Sequence, residues 1–299
     1  MDEKISKYML DFLLELGNKN VIYYYSQIAQ GKRLRSLLIS SISKSDVAAK
    51  LAAIIECIHL SSLLHDDVID SAKSRRGKES INSKYGDKTA IMLGDIFYSL
   101  AFSKLVEFDL RISKSVSTAV SKLSLGELQD VELSQNFNPD AKKYMDMIYN
   151  KTASLIEAGC YSAAILGEYE SKAHDFKLFG RNIGLSFQII DDILDITQDE
   201  EELGKPSLGD LKEGKSTLPF IYFYEEANES DRARFLELFG KEEISQSDKT
   251  WLRTACSGAI SRCCDEAIKL TQKGVAAIEQ SDAFTPLFAL SSKMLTRLY

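Results

Sequence analysis

The pattern Asp-Asp-x-x-Asp occurs twice in this chain, at residues 66–70 and 191–195. Each copy ends a strongly apolar stretch whose hydrophobic residues recur at helical spacing. On a helix the first and last aspartates of one copy lie a turn apart on one face, where like charges repel and destabilise the helix. Divalent cations would remove this repulsion. Mg²⁺ suits the role, because it binds a few carboxylates together with phosphate oxygens.

Helical periodicity extends over most of the sequence. The chain has 299 residues, 44% of them hydrophobic, which is enough to bury a large core. It contains only four prolines and 16 glycines, and no strand-like alternation is sustained. We therefore predict an all-α protein. Length alone fits about two domains, but the uniform pattern favours one domain over residues 1–299.

Charge, cysteine content and hydropathy exclude several classes of protein. The net charge of −7 argues against general affinity for nucleic acid or anionic lipid surfaces. The five cysteines are scattered and odd in number, which predicts reduced thiols and not a disulfide framework. The first residues are charged and amphipathic, and no uncharged apolar run reaches about 18 residues. We predict a cytoplasmic protein without a signal peptide or a membrane span.

Basic residues accompany both aspartate clusters. Arg75 and Arg76 follow the first, and two guanidinium forks there suit an anion that metal ions also hold. Upstream, residues 31–35 (Gly-Lys-Arg-Leu-Arg) open a predicted helix, where helix N-terminal amides also favour phosphate. The second cluster is followed by a glycine-rich segment, residues 197–217, with lysines at 205, 212 and 215. We interpret the segments after both clusters as ordered, cationic loops.

In their order along the chain, these motifs resemble those of the trans-isoprenyl diphosphate synthases, which are head-to-tail prenyltransferases. The matching segments are G-K-R-x-R, H-D-D-x-x-D-x(4)-R-R-G, K-T, Q-x-x-D-D-x-x-D and G-K-x(4)-D-L-x-E-G-K, between roughly residues 28 and 225. The resemblance implies an antiparallel multi-helix bundle around a deep central cavity, with the two clusters facing each other, usually in a homodimer. The implied substrates are isopentenyl diphosphate and an allylic diphosphate primer.

The resemblance also implies roles for individual residues. Asp66 and Asp70 would bind two Mg²⁺ ions and Asp191 a third, with Mn²⁺ as an alternative, and Asp192 and Asp195 would support them. With the metal ions, Lys151 and Lys205 would stabilise the departing diphosphate. The implied ligands of the allylic diphosphate are Arg75, Lys151, Thr152, Gln188, Lys205 and Lys215. Those of isopentenyl diphosphate are Gly31, Lys32, Arg35, His59 and Arg76.

Product length is predicted from the residues four and five positions before the first cluster. Family precedent places bulky aromatic side chains there in enzymes with short products, but this chain has Ser62 and Ser61. Helical geometry puts Ser62 directly below Asp66, at about 1.5 Å of rise per residue, whereas Ser61 lies further round the helix. These small residues favour a product longer than C15. Deeper residues, among them Ile54, Ile55 and Ile58, could still form a floor.

Other functions fit parts of the pattern. A geranylgeranyl or farnesyl diphosphate synthase would make a shorter product by the same chemistry. A terpene cyclase shares the first cluster, but usually replaces the second with Asn/Asp-x-x-Ser/Thr-x-x-x-Glu. A non-catalytic synthase subunit has degenerate clusters, whereas both are intact here. Glu127 lies in a segment that resembles the family's cavity wall, but we interpret it as a charge on a helix surface.

Overall fold

The computed structural model describes residues 1–198 and 207–298. Regular structure in these ranges is almost entirely helical, which confirms the all-α prediction. In chain order the α-helices are α1 (Asp2–Leu14), α2 (Lys19–Gln27), α3 (Leu34–Ile42), α4 (Asp46–Ile69), α5 (Ile81–Tyr85), α6 (Asp87–Leu105), α7 (Leu110–Leu133), α8 (Ala141–Ile148), α9 (Ser154–Leu166), α10 (Ala173–Thr197), α11 (Gly209–Lys212), α12 (Leu218–Glu226), α13 (Glu229–Leu238), α14 (Gln246–Ala255), α15 (Ser257–Ala277) and α16 (Phe284–Leu295). Short 3₁₀ turns occupy Glu170–Lys172 and Thr296–Leu298.

The chain divides into two compact units by the density of contacts between its Cα atoms. Unit 1 comprises Met1–Ser121, Leu155–Gly180 and Ala277–Phe288, and unit 2 comprises Lys122–Ser154, Arg181–Ala276 and Ala289–Tyr299. The first aspartate cluster therefore belongs to unit 1 and the second to unit 2. This division does not test the single domain expected over residues 1–299, which stays a prediction.

Helix α4 is the central helix of unit 1 and carries the first aspartate cluster at its C-terminal end. It begins at an N-cap, Ser45, whose Oγ accepts a hydrogen bond of 3.1 Å from the Ala48 amide. It packs against α1, α3 and α6. Among the described residues α4 is the one helix long and apolar enough to cross a membrane, yet 78% of its most apolar window is buried. Such burial is typical of a core helix.

The basic segment after the first cluster forms a hairpin, where the sequence predicted a loop. Strands β1 (Ser74–Arg75) and β2 (Lys78–Glu79) pair antiparallel, with Arg76 and Gly77 in the turn. Both turn residues have positive φ, 53° and 73°, as a type I′ turn requires. Arginine rarely adopts this conformation, and such strain is concentrated at functional sites. The turn therefore points to a role for the Arg76 side chain.

A π-helical turn, Tyr149–Ala153, lies between α8 and α9 in unit 2 and contains Lys151 and Thr152. Turns of this kind are rare in proteins and are frequent at functional sites. Two glycines allow neighbouring helices to touch its backbone. A Cβ on Gly126 of α7 would lie 2.2 Å from the backbone nitrogen of Lys151, and one on Gly184 of α10 would lie 2.6 Å from Cα of Ala153. The π turn is therefore packed tightly between α7 and α10.

An apolar cluster in unit 2 anchors the chain on both sides of the second cationic segment. Its buried members are Ile196, Leu208, Leu211, Phe220, Phe223, Phe235, Leu238, Leu252, Cys256 and Ala259. Arg253 also donates hydrogen bonds of 2.9 Å to the carbonyl oxygens of Ile196 and Gln198, which caps the C-terminal end of α10. The five cysteines are free thiols, as the sequence predicts.

Candidate active site

The three aspartates of the first cluster differ in exposure. Asp66 and Asp70 are partly exposed, whereas Asp67 is only 4% exposed. Arg75 donates a hydrogen bond of 2.6 Å from Nε to Oδ1 of Asp67, and Asn82 donates one of 2.9 Å to the Asp67 carbonyl oxygen. Burial raises the pKa of Asp67, and the Arg75 guanidinium opposes that rise. Asp67 thus fixes the hairpin to α4, and two accessible carboxylates remain one helical turn apart.

The second cluster is more deeply buried. Asp191 has a side chain that is 44% exposed, but Asp192 is 4% exposed and Asp195 is fully buried. Oδ2 of Asp195 accepts a hydrogen bond of 3.0 Å from the Asp210 amide, at the start of helix α11. Asp195 therefore holds the segment that follows the cluster. The second cluster presents one accessible carboxylate, whereas the first presents two.

Both carboxylate oxygens of Asp192 accept hydrogen bonds from side chains. Tyr144 donates to Oδ2 at 2.5 Å and Nε2 of Gln188 donates to Oδ1 at 2.8 Å. Thr152 in turn donates to Oε1 of Gln188 at 2.7 Å. Burial raises the pKa of Asp192 to about 7, and the two donors oppose that rise. These contacts link the π turn to the second cluster through Gln188.

Lys151 lies between two acidic side chains of α7. Its Nζ is 2.5 Å from Oδ2 of Asp130 and 2.8 Å from Oε2 of Glu127. Glu127 is only 8% exposed. The interpretation of Glu127 as a surface charge is therefore wrong, because the local sequence does not show that the π turn covers this side of α7.

Some of the residues predicted to bind isopentenyl diphosphate lie close together in unit 1. Gly31 lies directly against the Arg76 guanidinium, since a Cβ at residue 31 would be 2.4 Å from Nη1 of Arg76. Arg76 also donates a hydrogen bond of 3.3 Å to the Ala29 carbonyl oxygen. Arg33 caps α3 in the left-handed conformation, with φ of 50°. Lys32 is exposed to solvent.

Arg35 and His59 are two further residues predicted to bind isopentenyl diphosphate. Nε of Arg35 is buried and has no hydrogen-bond partner within residues 1–198 and 207–298. A buried unsatisfied donor is costly, and an anionic ligand would satisfy it. Burial, together with the positive charges of Arg35, Arg76 and Arg75, lowers the pKa of His59 well below its ordinary value. His59 is therefore a neutral imidazole among three guanidinium groups.

The remaining predicted residues are less informative. Lys215 pairs with Oε2 of Glu213 at 2.6 Å, and its amide donates a hydrogen bond of 2.8 Å to the Asp210 carbonyl oxygen. Lys205 lies outside the described residues. Ser61 is fully buried and donates a hydrogen bond of 2.7 Å to the Gly94 carbonyl oxygen on α6, whereas Ser62 donates one of 2.9 Å to His59 within α4. Ile54, Ile55 and Ile58 are fully buried.

Four residues near the predicted site carry contacts that sequence reasoning missed: Tyr144, Glu127, Asp130 and Arg297. Arg297 lies beyond the matching motifs, and its Nη2 is 3.5 Å from Oδ1 of Asp191. The segment G-E-L-Q-D, residues 126–130, contains both Glu127 and Asp130, and its resemblance to the family's cavity wall could have identified them. Nothing in the sequence marked Tyr144 or Arg297, because each reaches its partner across a long separation in the chain.

Comparison with known proteins gives a consistent result over the whole chain. The family model for polyprenyl synthetase matches residues 18–255. The short chain isoprenyl diphosphate synthase of Methanothermobacter thermautotrophicus is 33% identical over 283 residues, covering 90% of this chain and 87% of the relative. The crystal structure of octaprenyl pyrophosphate synthase from Helicobacter pylori superposes with a TM-score of 0.92 at 36% identity, over 99% of each chain. A polyprenyl synthase from Caulobacter crescentus, complexed with calcium and isoprenyl diphosphate, superposes with a TM-score of 0.89 at 28% identity, over 99% of this chain and 94% of that one.

Proposed function

The chain belongs to the polyprenyl synthetase family and is a trans-prenyltransferase, and from this premise we propose the reaction it performs. It condenses isopentenyl diphosphate with an allylic diphosphate, head to tail, and makes a trans-polyprenyl diphosphate longer than C15. The observation that carries the proposal is the pair of aspartate clusters, with two accessible carboxylates in the first and one in the second. This distribution is the one expected if the first cluster binds two metal ions and the second binds one.

The accessible aspartates fit the hard divalent cations that the family uses. We propose that Asp66 and Asp70 bind two Mg²⁺ ions and that Asp191 binds a third, with Mn²⁺ as a substitute. Mg²⁺ prefers one or two carboxylates and completes its shell with phosphate oxygens and water, so these few ligands are sufficient once a diphosphate is present. When bound, the ions would neutralise the charge that develops on the departing diphosphate.

The proposed diphosphate ligands fall into two sets, one for each substrate. The proposed ligands of the allylic diphosphate are Arg75, Lys151, Thr152, Gln188, Lys205 and Lys215, and those of isopentenyl diphosphate are Gly31, Lys32, Arg35, His59 and Arg76. The unsatisfied Nε of Arg35 supports binding of an anion by the second set. Neutral His59 can donate or accept a hydrogen bond there without adding another positive charge.

The chemistry requires no side-chain base. Ionisation of the allylic diphosphate gives a carbocation and free diphosphate, and the double bond of isopentenyl diphosphate attacks the cation. The proton lost afterwards passes to the released diphosphate, the strongest base beside the reacting carbon. What the protein must supply is charge stabilisation and exclusion of water, which would otherwise capture the cation.

Small residues of α4 support a product longer than C15. Ser61 and Ser62 are small, and family precedent places chain-limiting aromatic residues at these positions. The names of similar proteins include both an octaprenyl and a short-chain synthase, so overall similarity alone does not fix the length. The small side chain of Ser62 therefore carries the proposal, and a geranylgeranyl or farnesyl diphosphate product is the alternative.

We propose that the protein is a cytoplasmic homodimer. Helix α6 buries one face in unit 1 and exposes apolar side chains on the other, where Ile91 is 38%, Met92 55% and Phe102 36% exposed. Val106, one residue beyond the helix, is 78% exposed on the same side. An exposed helix face with several large apolar side chains suits contact with a second copy. Light scattering should give twice the chain mass, and Met92→Lys should lower it towards a monomer.

Release of diphosphate tests the proposed reaction against its competitors. Purified protein should release diphosphate only when Mg²⁺, an allylic diphosphate and isopentenyl diphosphate are all present. Asp66→Asn and Asp191→Asn should each reduce the rate strongly, while Asp146→Asn, at an exposed position on α8, should not. Release from the allylic substrate alone, with cyclic hydrocarbon, would indicate a terpene cyclase. No release under any condition would indicate a non-catalytic subunit.

A further inference from the structure

Lys151 is held by two carboxylates of the neighbouring helix α7. The Lys151 side chain is 21% exposed, and those of Glu127 and Asp130 are 11% and 8% exposed. Lys151 donates a hydrogen bond of 2.5 Å from Nζ to Oδ2 of Asp130, and it forms an ion pair of 2.8 Å with Oε2 of Glu127. Long side chains at protein surfaces usually sample many rotamers, but these buried contacts select one position for the ammonium group.

The backbone under Lys151 is fixed as well. The π turn places residue 151 against α7, where Gly126 leaves room for direct backbone contact, and Gly184 of α10 leaves the same room at Ala153. Glu127 and Asp130 lie three residues apart on α7 and so share a face of that helix. The same helix therefore fixes the Lys151 backbone through Gly126 and the Lys151 ammonium group through the two carboxylates.

We propose that Glu127 and Asp130 are positioning residues, which hold the Lys151 ammonium group where the allylic diphosphate departs. The inference rests on the proposed function, because the role given to Glu127 and Asp130 depends on the role proposed for Lys151. An ammonium group has three protons to donate, and the hydrogen bond to Asp130 together with the ion pair to Glu127 fixes its position before substrate arrives. Catalytic groups held in place in advance contribute more to the transition state than flexible ones.

Two carboxylates beside one ammonium group also set the expected kinetics. Their charge repels a bound diphosphate, so removing one carboxylate relieves repulsion in the ground state. The same change frees Lys151 to move and so weakens stabilisation of the leaving group. A mobile Lys151 also holds the bound diphosphate less firmly, which opposes the relief of repulsion in KM, while kcat falls with the lost stabilisation of the leaving group. Asp130→Asn should therefore lower kcat by about tenfold or more, while KM for the allylic diphosphate changes by less than about threefold.

A double-mutant cycle tests this assignment. Asp130→Asn, Lys151→Ala and the double variant are assayed with radiolabelled isopentenyl diphosphate and farnesyl diphosphate, a sensitive assay for slow variants. Asp130→Asn should lower kcat in the wild-type background and have less than about a twofold effect in the Lys151→Ala background, because its role passes through Lys151. Gln129→Ala is the matched control, since Gln129 lies on the same helix and accepts a hydrogen bond from Asn150 of the π turn.

Each other outcome has a definite meaning. Equal losses in both backgrounds would overturn the inference, and so would a lowered KM with unchanged kcat, which would mean that the carboxylates only compete with substrate. If thermal unfolding shows that Asp130→Asn is not folded, Glu127→Gln enters the same cycle. A wild-type protein that makes no prenyl product would refute the proposed function itself. If the wild type is active and the effects of Asp130→Asn and Lys151→Ala are additive, the positioning role is refuted and the proposed function is not.

Discussion

Tyr144 donates a hydrogen bond of 2.5 Å from its hydroxyl to Oδ2 of Asp192, and both side chains are buried. Burial and the Asp192 carboxylate raise the pKa of Tyr144 well above its ordinary value, so the phenol keeps its proton and remains the donor. With Gln188 on the other oxygen, Asp192 is engaged with the protein. It supports the second cluster from inside, and Asp191 is the member that faces outward.

Removal of the Tyr144 hydroxyl should weaken this support. Tyr144→Phe keeps the ring but leaves one oxygen of a buried carboxylate without its donor, a loss that costs about 1–3 kcal/mol. We expect the urea unfolding midpoint to fall by a corresponding amount and kcat to fall with it. Tyr222→Phe, in the same unit, serves as the control. An unchanged midpoint would show that the Tyr144 contact carries no net stability.

The aspartates of the second cluster should separate into one that affects metal use and one that affects folding. Asp191→Ala should raise the Mg²⁺ concentration needed for half-maximal rate, because it removes the accessible carboxylate. Asp195→Ala should lower stability by about 1–3 kcal/mol, since it leaves the Asp210 amide unsatisfied. The two properties are measured by Mg²⁺ titration of the rate and by urea unfolding. Equal shifts in Mg²⁺ requirement for both variants would contradict this separation.

His59 should make stability depend on pH. In the folded protein its pKa lies well below the ordinary value, which is about 6.5 in an unfolded chain. As pH falls below about 6.5, the unfolded chain binds a proton that the folded protein does not, so the free energy of unfolding decreases. His59→Gln should lose this part of the decrease between pH 7.5 and 5.5, measured by urea unfolding. His174→Gln, at an exposed position, should keep the wild-type difference.

Ser62 and Ser61 should differ as determinants of product length. Ser62→Phe should shorten the product, because it would place a bulky phenyl ring on α4 one helical turn before Asp66. Ser61→Ala should leave the length unchanged and cost about 0.5–1.5 kcal/mol, since Ser61 bonds to the α6 backbone. Chromatography of dephosphorylated products gives the lengths. An unchanged product from Ser62→Phe would remove Ser62 from the account of product length.

The helical fold could be predicted from local spacing, and the family could be predicted from the order of the motifs around the two aspartate clusters. It did not show which aspartates are covered. Asp192 meets Tyr144 across 48 positions of the chain, and Asp195 meets the Asp210 amide across 15. Helical periodicity assigns a residue to a face, but burial depends on which distant element packs there. Glu127 was misinterpreted for the same reason, since the π turn that covers it is formed by residues 149–153.

The most direct test is the length of the product made by the wild-type enzyme. The protein is incubated with Mg²⁺, farnesyl diphosphate and excess radiolabelled isopentenyl diphosphate, and the dephosphorylated products are separated by chromatography beside trans-polyprenol standards. The account predicts Mg²⁺-dependent all-trans products longer than C15, abolished by Asp66→Asn and by Asp191→Asn. No elongation of the primer, or equal elongation by either aspartate variant, would contradict it.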